Sequence, residues 1–362
     1  MSPPRRSLPL TDWPAADRQL WLAALVPGDL LDPGSVHSRY AAVSNRKYGY
    51  GYGRWLAWLA AAGQLEPGMA PASRITPERV RDYLRDLAAV NATATQLARL
   101  AELGKVALIL DPGQDWGWIC RIADRVRARH VPARDKRSRM VDINRLQALG
   151  EQLMTAAGQA RTPRQRAIQL RDGLLIALLA ARPLRRRNLV GLQLDRHLVR
   201  RGAAWWLQIP AAETKTRVPL EMSWPASLEP WLEVYLVDGR PVLCRQQGRW
   251  NRPGGAALWI SGDGSAMTSD AVYDRIMRRT REAFGQGINP HLFRDCAATT
   301  LAMADPENIG TAASVLGHRS LLSTERFYNQ AQSVDAACHL HRVLAGLREG
   351  TLRLDEREGE TS

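Results

Sequence analysis

Apolar residues return every three or four positions through most of this chain, a spacing that predicts helices and few strands. Between residues 35 and about 65 the apolar set is Tyr40, Val43, Trp55, Leu56, Trp58 and Leu59. The run Tyr48-Gly49-Tyr50-Gly51-Tyr52-Gly53 interrupts it, because each glycine weakens a helix by about 1 kcal/mol relative to alanine. A loop presenting tyrosines to a partner and a packed turn both fit. Thr76-Pro77 is a helix start, an N-cap followed by proline at the first helical position. Val80, Tyr83, Leu84 and Leu87 then form one face. Further helical patterns cover residues 92–110 and 116–126. An all-helical domain is expected over 19–130, behind a Pro- and Arg-rich flexible arm at 1–18.

The pattern changes after a basic stretch at 131–139. Helices are predicted over 141–158 and 163–181, the second so apolar (Ile168, Leu170, Leu174, Leu175, Ile176, Leu178, Leu179) that it reads as a core helix. Strand signals at 204–210 and 217–220 flank Glu213-Thr214-Lys215-Thr216, which predicts two strands joined by a tight turn. Residues 240–256 read as a loop-rich insertion and 258–261 as a further strand. Thr268-Ser269 caps a basic helix running to 284. An amphipathic helix is expected over 333–347, and 348–362 read as an acidic, disordered tail. The fold class is mainly α with a small antiparallel β-sheet (α+β), the second domain spanning 140–347.

Charge narrows the partners. The 362 residues carry 50 Lys plus Arg against 36 Asp plus Glu, a net charge of +14. That excess points to a polyanion, nucleic acid before membrane, unless it is only general basicity. Residues 121–139 hold seven arginines and Lys136 against Asp124 and Asp135. Arg134, Lys136, Arg137 and Arg139 are therefore candidates for phosphate-backbone contact, the alternative being a solvated helix end. The four cysteines are scattered, with no metal-ligand spacing, and fit reduced thiols of a cytoplasmic protein. No signal peptide or membrane span is expected. Most of the twelve tryptophans are expected in the core.

The candidate chemistry lies in residues 291–328, HLFRDCAATTLAMADPENIGTAASVLGHRSLLSTERFY. His291 and Arg294, three apart, share a helix face. Leu316-Gly317-His318 follows, and Tyr328 stands ten residues beyond His318. A guanidinium matches phosphate oxygens. Beside two imidazoles and a phenol, it suggests phosphoryl transfer with tyrosine as nucleophile.

The ordered set H-x-x-R, L-G-H and a tyrosine shortly after resembles the C-terminal half of the tyrosine recombinases, the phage integrase family. Arg182-Pro183-Leu184-Arg185-Arg186-Arg187-Asn188-Leu189 is similar to that family's first arginine box, L-R-x-x-E-L. The alignment puts the catalytic arginine at Arg185, with Arg186 and Arg187 left open, and Asn188 stands where the family has an acid. Lys215, the only lysine after residue 139, resembles the family's β-hairpin lysine.

The resemblance implies a helical core-binding domain before a catalytic domain, together a C-shaped clamp on double-stranded DNA. It implies Arg185, Lys215, His291, Arg294, His318 and Tyr328 as catalytic residues, a 3′-phosphotyrosyl intermediate, and no metal, ATP or other cofactor. It further implies a homotetramer on paired target sites, with the C-terminal segment docking on a neighbouring protomer, in the nucleoid of the cytoplasm. Two other readings remain: a type IB topoisomerase-like or telomere-resolving nicking-joining enzyme, and a DNA-binding relative that no longer cuts, which only Asn188 favours.

Overall fold

The computed structural model describes residues 7–29, 31, 34–129, 137–245 and 254–304. The chain divides between Asp135 and Lys136 into two compact units. The first holds helices α1 (Ala15–Leu25), α2 (Ala42–Ala61), α3 (Pro77–Val90), α4 (Thr93–Leu110) and α5 (Gly117–Ala128). Helix α4 packs against the other four, burying Leu100, Leu103 and Val106 among Trp21, Trp55, Leu59, Val80 and Ile119. Helix α3 starts where its sequence predicts, because Thr76 Oγ1 accepts the Arg79 N–H at 3.3 Å and Pro77 needs no partner in the first turn.

The Tyr-Gly run is neither a loop nor a turn. Helix α2 passes straight through it. A Cβ at Gly51 would lie 2.3 Å from Glu102 Oε2, and one at Gly53 would lie 2.4 Å from the Leu8 carbonyl oxygen. These glycines are close-approach sites for neighbouring chain. Tyr52 between them is fully buried and donates to Asp17 Oδ1 at 2.5 Å. Asp17 also pairs with the buried Arg74 at 2.8 Å.

From Leu8 onward the expected arm is packed rather than flexible. The Leu8 N–H donates to the Gly53 carbonyl at 2.9 Å. Trp13 is buried, its indole donating to the Leu8 carbonyl at 3.1 Å, and α1 begins at Ala15. Apolar Leu8, Leu10 and Trp13 bind this segment to the core in spite of its prolines.

The second unit contains α6 (Ile143–Ala156), α7 (Pro163–Ala181), α8 (Arg186–Val190), strands β1 (Leu198–Arg201), β2 (Ala204–Ile209) and β3 (Leu220–Ser223), then α9 (Glu229–Val234), a π-helical turn (Tyr235–Gly239), α10 (Arg240–Cys244), α11 (Ser269–Phe284) and α12 (Pro290–Ala304). Helix α7 is its axis, buried without a break from Leu170 to Ala180. Helices α6 and α7 touch through backbone, since a Cβ at Gly173 would meet the Gly150 carbonyl oxygen at 2.6 Å. The buried Arg171–Asp172 pair sits within α7. Asp172 also holds Arg279 of α11 at 3.0 Å, so part of that helix's basic face turns inward.

The sheet is antiparallel in the order β1-β2-β3, with Leu198 opposite Leu207 and Leu207 opposite Met222. The third strand starts at Leu220, later than the sequence suggests. Arg217 takes a left-handed φ of 55°, and Pro219 has no N–H for a ladder. The connection therefore covers residues 210–219 and is not a tight turn. Residues 258–261 make only an isolated bridge, between Ile260 and Ala266. Residues 240–244, expected as loop, continue the helical stretch that begins at Glu229. No helix among the described residues is long and apolar enough to cross a membrane.

Candidate active site

Helix α7 ends because Pro183 follows it. Arg182 is pushed to φ −133°, ψ 90°, as a residue before proline is. The chain then turns, and Arg185 becomes the N-cap residue of α8, its carbonyl accepting the Leu189 N–H at 3.0 Å. Asn188 and Leu189 face inward. The Leu189 carbonyl accepts the Trp259 indole N–H at 2.8 Å, which fixes α8 to the core. Arg186 and Arg187 are exposed. Arg186 lies over the Tyr273 ring at 5.5 Å.

Helix α12 starts at Asn289-Pro290. Asn289 Oδ1 accepts the His291 and Leu292 N–H groups, each at 3.0 Å, which is an N-cap geometry. His291 is exposed on the first turn. One turn on, Arg294 is only 7% exposed among Leu292, Phe293 and Cys296. Its guanidinium donates to the Pro183 carbonyl, tying α12 to the segment that leads into α8. Burial, and secondly the charge of Arg185, pull the Arg294 guanidinium down to about 10, with Asp295 opposing. Of the three consecutive arginines in the box, Arg185 is thus the one whose charge bears on Arg294. Two cations converging at a partly desolvated place repel each other, and an anion between them would relieve both.

Lys215 is exposed in the connection between β2 and β3. Thr214 closes that connection, its Oγ1 donating to the Val218 carbonyl at 2.8 Å and standing 3.1 Å from that of Ala211. Arg139 donates to the Gly287 carbonyl between α11 and α12. His318, Tyr328, Arg134 and Lys136 lie outside the described residues, as do the helix and tail expected after 333. In the first unit, Arg121, Arg125 and Arg129 fall one turn apart on and just beyond α5. With Arg81 and Trp118 they line a hollow of about 510 Å³.

Sequence reasoning leaves His197 unassigned, yet it is 2% exposed and bonded to Glu213. Its Nε2 stands 3.0 Å from Glu213 Oε2, and its Nδ1 accepts the Gln193 N–H at 3.1 Å. Only the β2–β3 connection makes these residues neighbours, so no local motif marks them. Both line a cleft of about 140 Å³ together with Arg187 and Asn188.

No family model matches the chain. Tyrosine recombinase XerD of Pseudomonas putida is 30% identical to it over 168 residues, 46% of this chain and 52% of that protein. Tyrosine recombinase XerC of Pseudomonas syringae pv. tomato is 27% identical over 156 residues, 43% of this chain and 46% of that protein. The chain thus spans about half the length of the curated relatives it matches. Among solved structures, it is similar to XerH site-specific recombinase bound to palindromic difH substrate, a post-cleavage complex. The TM-score is 0.57 at 13% identity, over 93% of this chain and 99% of that one. It is also similar to the Tn1549 transposon integrase in complex with circular intermediate DNA, at TM-score 0.51 and 13% identity, over 88% of this chain and 98% of that one. At such identity these two likenesses speak for the fold.

Proposed function

We propose that this chain is a site-specific DNA recombinase of the tyrosine recombinase family that cuts and rejoins strands through a 3′-phosphotyrosyl intermediate. The observation that carries the reading is the convergence of Arg185 and the buried Arg294 from separate elements, an arrangement suited to an anion. In the proposed reaction Tyr328 attacks the scissile phosphate. Arg185 and Arg294 bind its non-bridging oxygens, and His318 adds a hydrogen bond. His291 serves as general base or stabiliser. Lys215 gives a proton to the departing 5′ oxygen. The phosphotyrosyl bond keeps the energy of the phosphodiester, so rejoining to another strand needs no ATP. The partner is double-stranded DNA carrying specific sites. The working assembly is a homotetramer on paired sites, with the segment after 333 docked on a neighbouring protomer, in the cytoplasmic nucleoid.

A site nicked near the cleavage position tests the reading. Wild-type protein should be trapped on it as a covalent adduct, and two paired sites should give recombinant products. An adduct without recombinants would favour the topoisomerase-like or resolving enzyme. Specific binding with no adduct would favour the inactive relative.

The basic stretch before the second unit gives a separate expectation. Replacing Arg134, Lys136 and Arg137 with alanine should flatten the dependence of log K on log salt by roughly 0.9 for each phosphate contact removed. Arg139 is left intact because its guanidinium is engaged by Gly287. An unchanged slope in salt titrations would remove this stretch from the DNA interface.

A further inference from the structure

We infer that Glu213 is a positioning residue that supplies, from the connection between β2 and β3, the carboxylate that the arginine box lacks at residue 188. The catalytic meaning of this inference rests on the recombinase reading. Asn188 and Glu213 line the same cleft, with Arg187 beside them. Asn188 is only 7% exposed, and its Nδ2 has no hydrogen-bond acceptor among the described residues. A buried amide in that state is a donor without an acceptor, in a residue that lines the cleft.

Glu213 is an acid held at that cleft by design of the surrounding chain. Because His197 Nδ1 accepts the Gln193 N–H, a neutral ring carries its proton on Nε2, and Nε2 donates to Glu213 Oε2 at 3.0 Å. The His197 carbonyl in turn accepts the Gln208 N–H of β2 at 2.8 Å. Arg196 holds the other carboxylate oxygen. The grip extends to Lys215, two residues on. Glu213 N–H donates to the Pro210 carbonyl at 3.0 Å, and Arg217 N–H to that of Thr214 at 3.4 Å. One carboxylate therefore fixes the segment carrying the lysine while standing at the wall of the box that carries Arg185.

Glu213→Gln tests this, keeping the shape and one acceptor oxygen while removing the charge. Adduct formation on a nicked site should slow by about tenfold to a hundredfold, the order expected for a misplaced catalytic group, with DNA affinity unchanged. Amide hydrogen exchange over residues 210–219 should quicken in the protein without DNA. Adding Asn188→Asp to Glu213→Gln should restore most of the adduct rate and slow that exchange again, because a carboxylate returns to the same cleft. A purely structural ion pair with Arg196 would not be rescued from position 188. A Glu213→Gln protein that matches wild type in both measurements, or a double variant with no recovery in either, overturns the inference. If wild-type protein forms no adduct, the recombinase reading fails, and the exchange comparison still decides whether Glu213 anchors the segment.

Discussion

Tyr328→Phe is expected to bind DNA as the unaltered chain does and to form no covalent adduct with it. The substitution removes one oxygen and keeps the ring, so packing and the phosphate contacts of other residues are preserved. The nucleophile itself is gone, and losing it typically lowers turnover by roughly 10⁴-fold or more. Ser323 and Thr324 are close in sequence. Their hydroxyls lack the acidity of a phenol, whose reference pKa is about 10, and they would make a chemically different linkage. Denaturing gels of protein trapped on a nicked site, followed by peptide mapping of the attached nucleotide, give the readout. An adduct that survives in Tyr328→Phe, or that maps to Tyr273 beneath Arg186 on α11, would overturn the assignment.

Arg294→Met should separate cutting from stability. Loss of one phosphate-binding donor should slow single-turnover cleavage by about 10²–10³-fold. Folding should not suffer to match. The Arg294 guanidinium is pulled down to about 10 in the folded chain, so from there up to its ordinary value the unfolded chain holds more protons. Stability therefore rises as pH climbs through that window, and below it the whole penalty is present, about 3 kcal/mol at pH 7. Methionine removes the buried charge. It also leaves the Pro183 carbonyl without this donor, a loss of about 1 kcal/mol. Denaturant unfolding at pH 7 should show a variant as stable as wild type or more so. A variant more than about 2 kcal/mol less stable would show that Arg294 is chiefly a structural donor, and undiminished cleavage would remove it from the active site.

The local signals in this sequence translated directly into structure. Thr76-Pro77 and Thr268 cap helices because a hydroxyl and the following residues are all that an N-cap needs. The apolar run 163–181 became the buried axis of its unit because nothing but a core can surround it. What failed depended on distant chain. Strand β1 reads LVRR, with no alternation to mark it, and exists because Leu198 meets Leu207. The Tyr-Gly run suggests a break until Leu8 and Glu102 are seen against its glycines. In the site, spacing marks His291 and Arg294, and the resemblance puts Arg185 first in the box while leaving Arg186 and Arg187 open. Their difference lies in exposure and in the charge that reaches Arg294, which no alignment of letters contains. Nothing local marks Glu213 and His197, which stand sixteen residues apart and meet through the connection between β2 and β3.

Helix α2 has one more consequence, for the order of folding. A nucleus of helix forms with difficulty in any isolated peptide, and Gly49, Gly51 and Gly53 add about 3 kcal/mol to that difficulty. A peptide of residues 42–61 should therefore show almost no helical circular dichroism in water, and a strongly helical spectrum would refute the point. Within the chain, α2 has to be assembled by its neighbours: Trp21 beside Gly49, Glu102 of α4 against Gly51, and Leu8 against Gly53. The segment that looks from sequence like a loose leader is a template on which an interior helix is completed.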